Sequence, residues 1–355
     1  MNKGDTKRAI AFLIVLVLFL NLLCSVFRVC DQVQTGGYTD YKKLPKGSVD
    51  AVYIGNSGVS RYWICSQAYD KYGMVVFPLA TDGMPSWLIQ SMLCEAYKYQ
   101  TPELVLIDVR AFAQAAVEDY TEASNHYVLD RLPWFSVNRL CSIIRTIKAQ
   151  IESKSENMPK FGLAYFFPIL SYHDKWLDHD VFNTEENEEE QSFLGFYCNT
   201  FRSVRKRLTQ EEADALEKSV NTVQTDKRVP LNQVSEKSLR KLLRYIDRKK
   251  INAVFIGSPT IVDEELIGKY NTISDMLSDY GYQFLVINAA NIGDYAFDFK
   301  NDFYNQMHTN YLGAKKYTNY LADYLNSEYD FPDHRNDPDT SMFDGVSRKI
   351  SEFLA

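Results

Sequence analysis

The sequence predicts an α/β domain with a largely parallel sheet, carried behind one transmembrane helix. Three observations predict it: an uncharged apolar run near the N-terminus, short apolar runs alternating with helical stretches from residue 49 onward, and glycine-containing turns where those runs end. The 355 residues are enough for one large α/β domain or two small ones. Lys and Arg number 39 against 46 Asp and Glu, a formal charge of −7 with no concentrated cationic footprint, which argues against a nucleic-acid partner. An apolar share of 46% with 24 Tyr argues against a disordered chain.

The first element is the apolar run. Residues 9–27 read AIAFLIVLVLFLNLLCSVF without a charge, about 28 Å of helix and enough to cross a bilayer. Lys3, Lys7 and Arg8 precede it, so the basic side is the N-terminal side and the remainder of the chain is expected outside the cell membrane as a single-pass ectodomain. A cleaved signal peptide is the alternative, but no small-x-small site follows the run. Leu23 before Cys24 disfavours a lipoprotein processing site. Cys65, Cys94, Cys141 and Cys198 allow three complete pairings, among which the sequence does not choose. The expected organisation is a cytoplasmic tail (1–8), an anchor (9–27), a juxtamembrane linker (28–48), one domain over 49–330 with an insertion near 180–233, and a C-terminal extension (331–355).

Val49 to Ile54 reads as a strand and Gly55 to Gly58 as its turn into a helix. Met74 to Leu79 is a second apolar run, and Pro85 can occupy the first turn of a helix reaching about Tyr99. Leu104 to Val109 is a third strand. Leu132 to Ile151 is apolar at helical spacing and is expected to pack on the body, and Phe161 to Ile169 is expected to be a strand with Pro168 near its end. Glu185 to Glu190 is expected to be a solvated acidic loop, with a calcium site as the lesser reading. Arg202 to Gln233 reads as an insertion with turns and an exposed helix. Its RSVRKR stretch is an ordinary basic face or a surface for anionic polymer or lipid head groups. The α/β rhythm resumes with a helix over 235–249, a strand at 251–256, a helix over 264–280 and a strand at 282–287.

Two segments carry chemistry. Gly55-Asn56-Ser57-Gly58 puts a serine at a strand-to-helix turn, where its hydroxyl projects at the carboxyl edge of the sheet beside backbone N–H groups. Near the C-terminus, His308 is followed by Asn310 as a helix cap, Gly313-Ala314 for close packing, and Tyr317, Leu321 and Leu325 at helical spacing. A serine in an innocent turn and a structural histidine are the bland readings of the two taken separately.

Taken together, the segments resemble the SGNH, or GDSL-like, hydrolase superfamily, and within it membrane-anchored proteins of cell-envelope polymer acylation. The resemblance covers roughly Val49 to Leu325 and implies a three-layer α/β/α sandwich with a parallel sheet, usually of five strands. VYIGNSGVSR looks like the nucleophile block, which makes Ser57 the nucleophile. LATDGMPS looks like the second block, so that Gly83 and Ser57 supply N–H groups to the oxyanion hole. HTNYLGAKKYT follows the catalytic histidine, His308. FFPILSYHDKW, with His173, Lys175 and Trp176, is similar to a Tyr-His-x-Arg-Trp element of related anchored members and marks possible substrate contacts.

Two departures stand out. The family's acid lies three residues before the histidine, where this chain has Asn305, which can orient an imidazole but supplies no carboxylate. Asp302, six residues before it, is the expected orienter of His308. In place of a Gly-x-Asn-Asp block the chain has LVLIDVRAF, in which Arg110 can bind an anionic substrate or pair with Asp108. The resemblance implies a serine-dependent esterase or O-acyltransferase acting on acyl esters of cell-envelope polysaccharide or teichoic acid, with no metal or redox cofactor. The alternative is a noncatalytic polymer-binding partner of a membrane-embedded acyltransferase.

Overall fold

In a computed structural model of the chain, residues 3–26, 32–113, 122–153, 162–171, 189–287 and 292–355 are described. Five parallel strands form the central sheet: β1 (Ala51–Gly55), β2 (Val76–Ala80), β3 (Leu104–Asp108), β6 (Ala253–Gly257) and β7 (Gln283–Val286). Their order is β2-β1-β3-β6-β7, so the chain runs outward from β1 to β2, then crosses back to β3 and continues the other way. That reversal falls between β1 and β3, and open α/β sheets bind ligands at the carboxyl ends of the strands at such a reversal. β1 and β3 are buried throughout, as strands covered on both faces must be.

Helices flank the sheet on its two sides. On one side α5 (Ser86–Tyr99) packs with α11 (Gln233–Lys249) and with α8 (Val137–Ser153). On the other, α4 (Cys65–Tyr72) packs with α13 (Tyr311–Glu328) and α14 (Val346–Phe353), and the Tyr53 hydroxyl of β1 meets that of Tyr317 on α13 at 2.8 Å. The two strands on either side of the residue 180–233 region pair directly, with Asp108 in register with Ile256. That region contributes an antiparallel hairpin, β4 (Glu190–Phe193) with β5 (Phe196–Asn199), a π-helical turn at Thr200–Arg205, and α10 (Gln210–Thr222). Residues 331–355 fold back onto the body: His334 Nε2 is 2.9 Å from Asp50 Oδ1, and the Phe343 ring stacks on Tyr69.

Phe161 to Ile169 is not the strand its apolar run predicts. It forms a helical turn, α9 (Leu163–Phe166), and a 3-10 turn at Pro168–Leu170. A short apolar run fits either state, and here Phe167 N donates to Leu163 O at 2.8 Å. Pro168, with no N–H, leads the next turn where no donor is required. Lys3–Val26 forms one helix, α1, long and apolar enough over Gly4–Cys24 to cross a membrane. Among the described residues Cys24, Cys65, Cys94, Cys141 and Cys198 are free thiols.

Candidate active site

Ser57 begins the short helix α3 (Ser57–Ser60) directly after β1. The Asn56 side chain caps that helix by accepting from Gly58 N at 2.9 Å, which turns the chain sharply at the strand end. Glycine is required on both sides of the turn. A Cβ at Gly55 would stand 2.6 Å from a Val59 methyl carbon and 2.7 Å from Asp108 Cβ, and one at Gly58 would stand 2.8 Å from Arg110 Nη1.

His308 opens β9 (His308–Thr309), which pairs with β8 (Phe303–Asn305) in a tight hairpin ahead of α13. Asn310 caps α13 as its sequence position predicts, accepting from Leu312 N at 2.9 Å. Gly313 lets the helix start close to the hairpin, where a Cβ would lie 2.2 Å from Asp302 O. The two halves of the chain meet here: Ser57 Oγ is 2.7 Å from His308 Nε2. Both residues remain partly open to solvent.

The other ring nitrogen faces Asn305, whose Oδ1 lies 3.0 Å from His308 Nδ1. Asp302 does not take that place, contrary to the expectation from charge. Asn305 and His308 are direct cross-strand partners in the hairpin, which brings their side chains together. Asp302 lies beyond the paired segment, and its buried carboxylate accepts from Lys316 Nζ at 2.6 Å and from Asp298 N at 2.7 Å. It ties the hairpin to α13 and the preceding loop.

The same Asn305 oxygen accepts from Met307 N at 2.9 Å. A backbone N–H can only donate, so the amide group facing it is the oxygen, and His308 Nδ1 must carry the ring proton to bond that same atom. Nε2 is left as the acceptor facing the serine hydroxyl. Tyr304 stacks on the imidazole at 5.5 Å between centroids. Burial, together with the charges of Arg110, Arg61 and Arg202, holds His308 well below the usual histidine value of 6.5.

Those arginines come from three different elements. Arg61, at the end of α3, donates to Asp82 Oδ2 at 2.5 Å and lies over the Tyr197 ring, so it joins the Ser57 turn to the Gly83 turn and to the hairpin. Gly83 sits in that turn at φ +60°, with Met84 N bonded to Thr81 O at 3.2 Å. Arg110 begins α6 (Arg110–Ala113), buried, with its guanidinium beside Gly58 and over Tyr62. Its backbone N–H, rather than its side chain, bonds Asp108 Oδ1 at 2.7 Å, while Asp108 Oδ2 accepts from Ser258 Oγ at 2.7 Å. Asp108 thereby links the ends of β3 and β6, and burial raises its carboxyl. Arg202 is exposed on the π-helical turn, with its backbone N–H held by Asn199.

No family model matches the sequence, and no curated protein matches it. Among solved structures the chain is similar to an acetyl xylan esterase from the rumen bacterium Butyrivibrio proteoclasticus, at 10% identity and a TM-score of 0.29. The match covers 80% of this chain and 65% of that protein, so the chain spans under two thirds of its length.

His173, Lys175, Trp176 and most of the acidic stretch 185–190 lie outside the described residues. The sequence reading missed Tyr304, Arg61 and the nearness of Arg202. Arg61 stood within the nucleophile motif itself, four residues after Ser57 and so one helical turn away, a spacing that pointed it toward the same site.

Proposed function

We propose that the chain is a membrane-anchored serine esterase or O-acyltransferase, with its domain outside the cell, acting on acyl esters of cell-envelope polysaccharide or teichoic acid. The observation that carries the chemistry is the 2.7 Å contact between Ser57 Oγ and the unprotonated Nε2 of His308. His308 accepts the serine proton as Oγ forms a bond to the ester carbonyl carbon. The resulting oxyanion is stabilised by the N–H groups of Ser57 and Gly83, which the Arg61–Asp82 pair holds together. The carbon–oxygen bond to the alcohol then breaks as His308 returns the proton to the departing oxygen. Water, or a polymer hydroxyl, gives a proton to His308 as its oxygen attacks the acyl-serine carbonyl, and the carbonyl–Oγ bond then breaks as His308 returns that proton to Ser57 Oγ, which completes hydrolysis or transfer.

Arg202, exposed on the π-helical turn near His308, favours an acceptor or donor that carries negative charge. A serine-directed fluorophosphonate probe tests the reading. Labelling at Ser57, lost in Ser57→Ala and in His308→Ala with the fold intact, is expected; a chain that neither labels nor cleaves a nitrophenyl acetate would exclude serine chemistry.

Asn305 in place of a carboxylate favours a second reading, in which the domain presents polymer to a membrane-embedded acyltransferase without chemistry of its own. Polymer binding that survives Ser57→Ala, without ester turnover by the parent chain, would support it.

A further inference from the structure

Helix α8 divides its apolar residues between two faces. The face it turns to the body carries Ile143 and Ala149 together with Arg139, Ser142, Thr146 and Gln150, all buried. The polar ones bond the body directly: Arg139 Nη2 to Tyr165 O at 2.9 Å, Trp87 Nε1 to Thr146 Oγ1 at 3.1 Å, and Gln150 Nε2 to the Tyr165 hydroxyl at 2.8 Å. The opposite face carries Val137, Leu140, Ile144 and Ile151, exposed by 76%, 48%, 42% and 58%. Their spacing of three, four and seven residues sets them in one row along the helix. Apolar side chains left bare on the face away from the body mark a surface that something covers.

The surroundings of the row identify what covers it. Phe135, just before α8 and 69% exposed, lines a groove with Ile10, Leu13, Ile14, Val17 and Leu18 of α1. The far end of α1 packs on the turn Pro168–Leu170, where Leu170 and nearby Leu163 are exposed as well. The apolar surface of the candidate span therefore adjoins Phe135 just before α8 and Leu170 beyond α9. Lys148, exposed, stands in the row between Ile144 and Ile151, and Arg145, partly exposed, borders it; long basic side chains of this kind lay their stems on apolar surface and carry the charge to head groups. Trp134, packed on Phe167 and under Arg139, adds an aromatic of the kind found at head-group depth.

We infer that the Val137–Leu140–Ile144–Ile151 face of α8, together with Phe135, lies against bilayer lipid beside α1 and seats the body in a fixed orientation. This rests on α1 as a membrane span. The surface is a second, peripheral membrane contact that holds the domain close to the bilayer instead of leaving it free on the linker.

The test uses the full chain in vesicles of mixed zwitterionic and anionic phospholipid. A spin label is attached through a genetically encoded ketone residue, at Leu140, Ile144 or Ile151 in separate chains, at Val15 in the middle of α1, and at exposed Glu217 on α10. Relaxation by oxygen, which concentrates in lipid, is compared with relaxation by a water-soluble nickel chelate. The expected result is an oxygen-to-nickel ratio several-fold higher at Leu140 and Ile144 than at Glu217, and highest at Val15. A ratio at Leu140, Ile144 and Ile151 equal to that at Glu217, with Val15 in lipid, would overturn the inference and leave the anchor standing. Nickel access at Val15 would remove the anchor and the inference together. Shielding of the α8 labels from both reagents would assign the face to a protein, such as a second copy of the chain, and would also overturn it. The three α8 positions are independent, so one label that disturbs folding leaves two readings.

Discussion

Asn305 holds His308 by a single side-chain oxygen, 3.0 Å from Nδ1, and that oxygen is fixed in turn by the Met307 amide. The imidazole is thus set in the tautomer a base requires without any carboxylate behind it. What the amide cannot supply is stabilisation of the imidazolium once the serine proton has moved.

The first prediction concerns that deficit. Asn305→Asp should raise kcat/KM on a neutral nitrophenyl ester by about tenfold, and Asn305→Ala should lower it by about a hundredfold through loss of ring orientation. Asp302→Asn weakens the buried pair with Lys316 and should cost about 1–3 kcal/mol of stability. It should leave the pH profile in place. Stopped-flow rates beside urea melts separate these outcomes, and a larger rate loss in Asp302→Asn than in Asn305→Ala at matched folding would reverse the assignment.

A second prediction follows from the depressed histidine. Because its folded value lies below 6.5, the acid limb of kcat/KM should fall below pH 6.5 also. Arg202→Gln removes one exposed cation and should move that limb upward. The sign for stability is the same: above pH 6.5 neither state holds the proton. As pH falls from 6.5 toward the folded value, the unfolded chain takes up a proton that the folded one refuses, so stability declines. Urea titrations at pH 7 and pH 5, in the parent and in His308→Gln, measure the contribution, which should vanish in the variant.

Arg61 supplies the third. Removing it in Arg61→Ala breaks the ion pair with Asp82 and takes away one link between the Gly83 turn and the Ser57 turn. With Asp82 more than a third exposed, the loss of stability is screened to about 1–2 kcal/mol. The rate should drop by about tenfold or more, carried by kcat rather than KM, because the donors for the oxyanion lose their spacing. Steady-state kinetics on the variant check this split.

Gly83→Ala is the fourth. At φ +60° an added side chain costs about 1–2 kcal/mol, and its Cβ would stand 2.8 Å from Ser124 Oγ. The variant should melt lower and lose turnover together. Retention of full turnover in a folded Gly83→Ala chain would remove Gly83 from the oxyanion site.

The sheet was legible because fully buried parallel strands leave a local mark: short apolar runs such as Val76–Ala80 and Leu104–Asp108, ended by polar or glycine residues and spaced by helices. The ambiguous run was Phe161 to Ile169, where apolar content alone does not tell a strand from a helical turn. No neighbouring strand was within reach of the sequence to decide it. The capping of α13 by Asn310 and the close approach at Gly313 were equally legible, since each is decided within a few residues.

By itself the sequence determined the five strands of the sheet, the apolar helix long enough to span a membrane, and the two positions, Ser57 and His308, that a strand-end turn and a helix start bring to one sheet edge. Tertiary structure alone decided what surrounds them. Asp302 and Asn305 were both near His308 along the chain, and charge favoured the former; the hairpin register set Asn305 opposite the ring and sent Asp302 to Lys316. Arg61, Arg110 and Arg202 come from segments as much as 141 residues apart in the numbering, 202 − 61, and converge only when the β4–β5 hairpin folds over α3. The helical spacing of Leu132 to Ile151 predicted packing on the body, but only Ile143 and Ala149 are buried there while Val137, Leu140, Ile144 and Ile151 stay exposed, because the body took the other face of α8. Local patterns record what each residue prefers, whereas a site's geometry and electrostatics depend on which distant groups the packed chain forces into the same low-dielectric space.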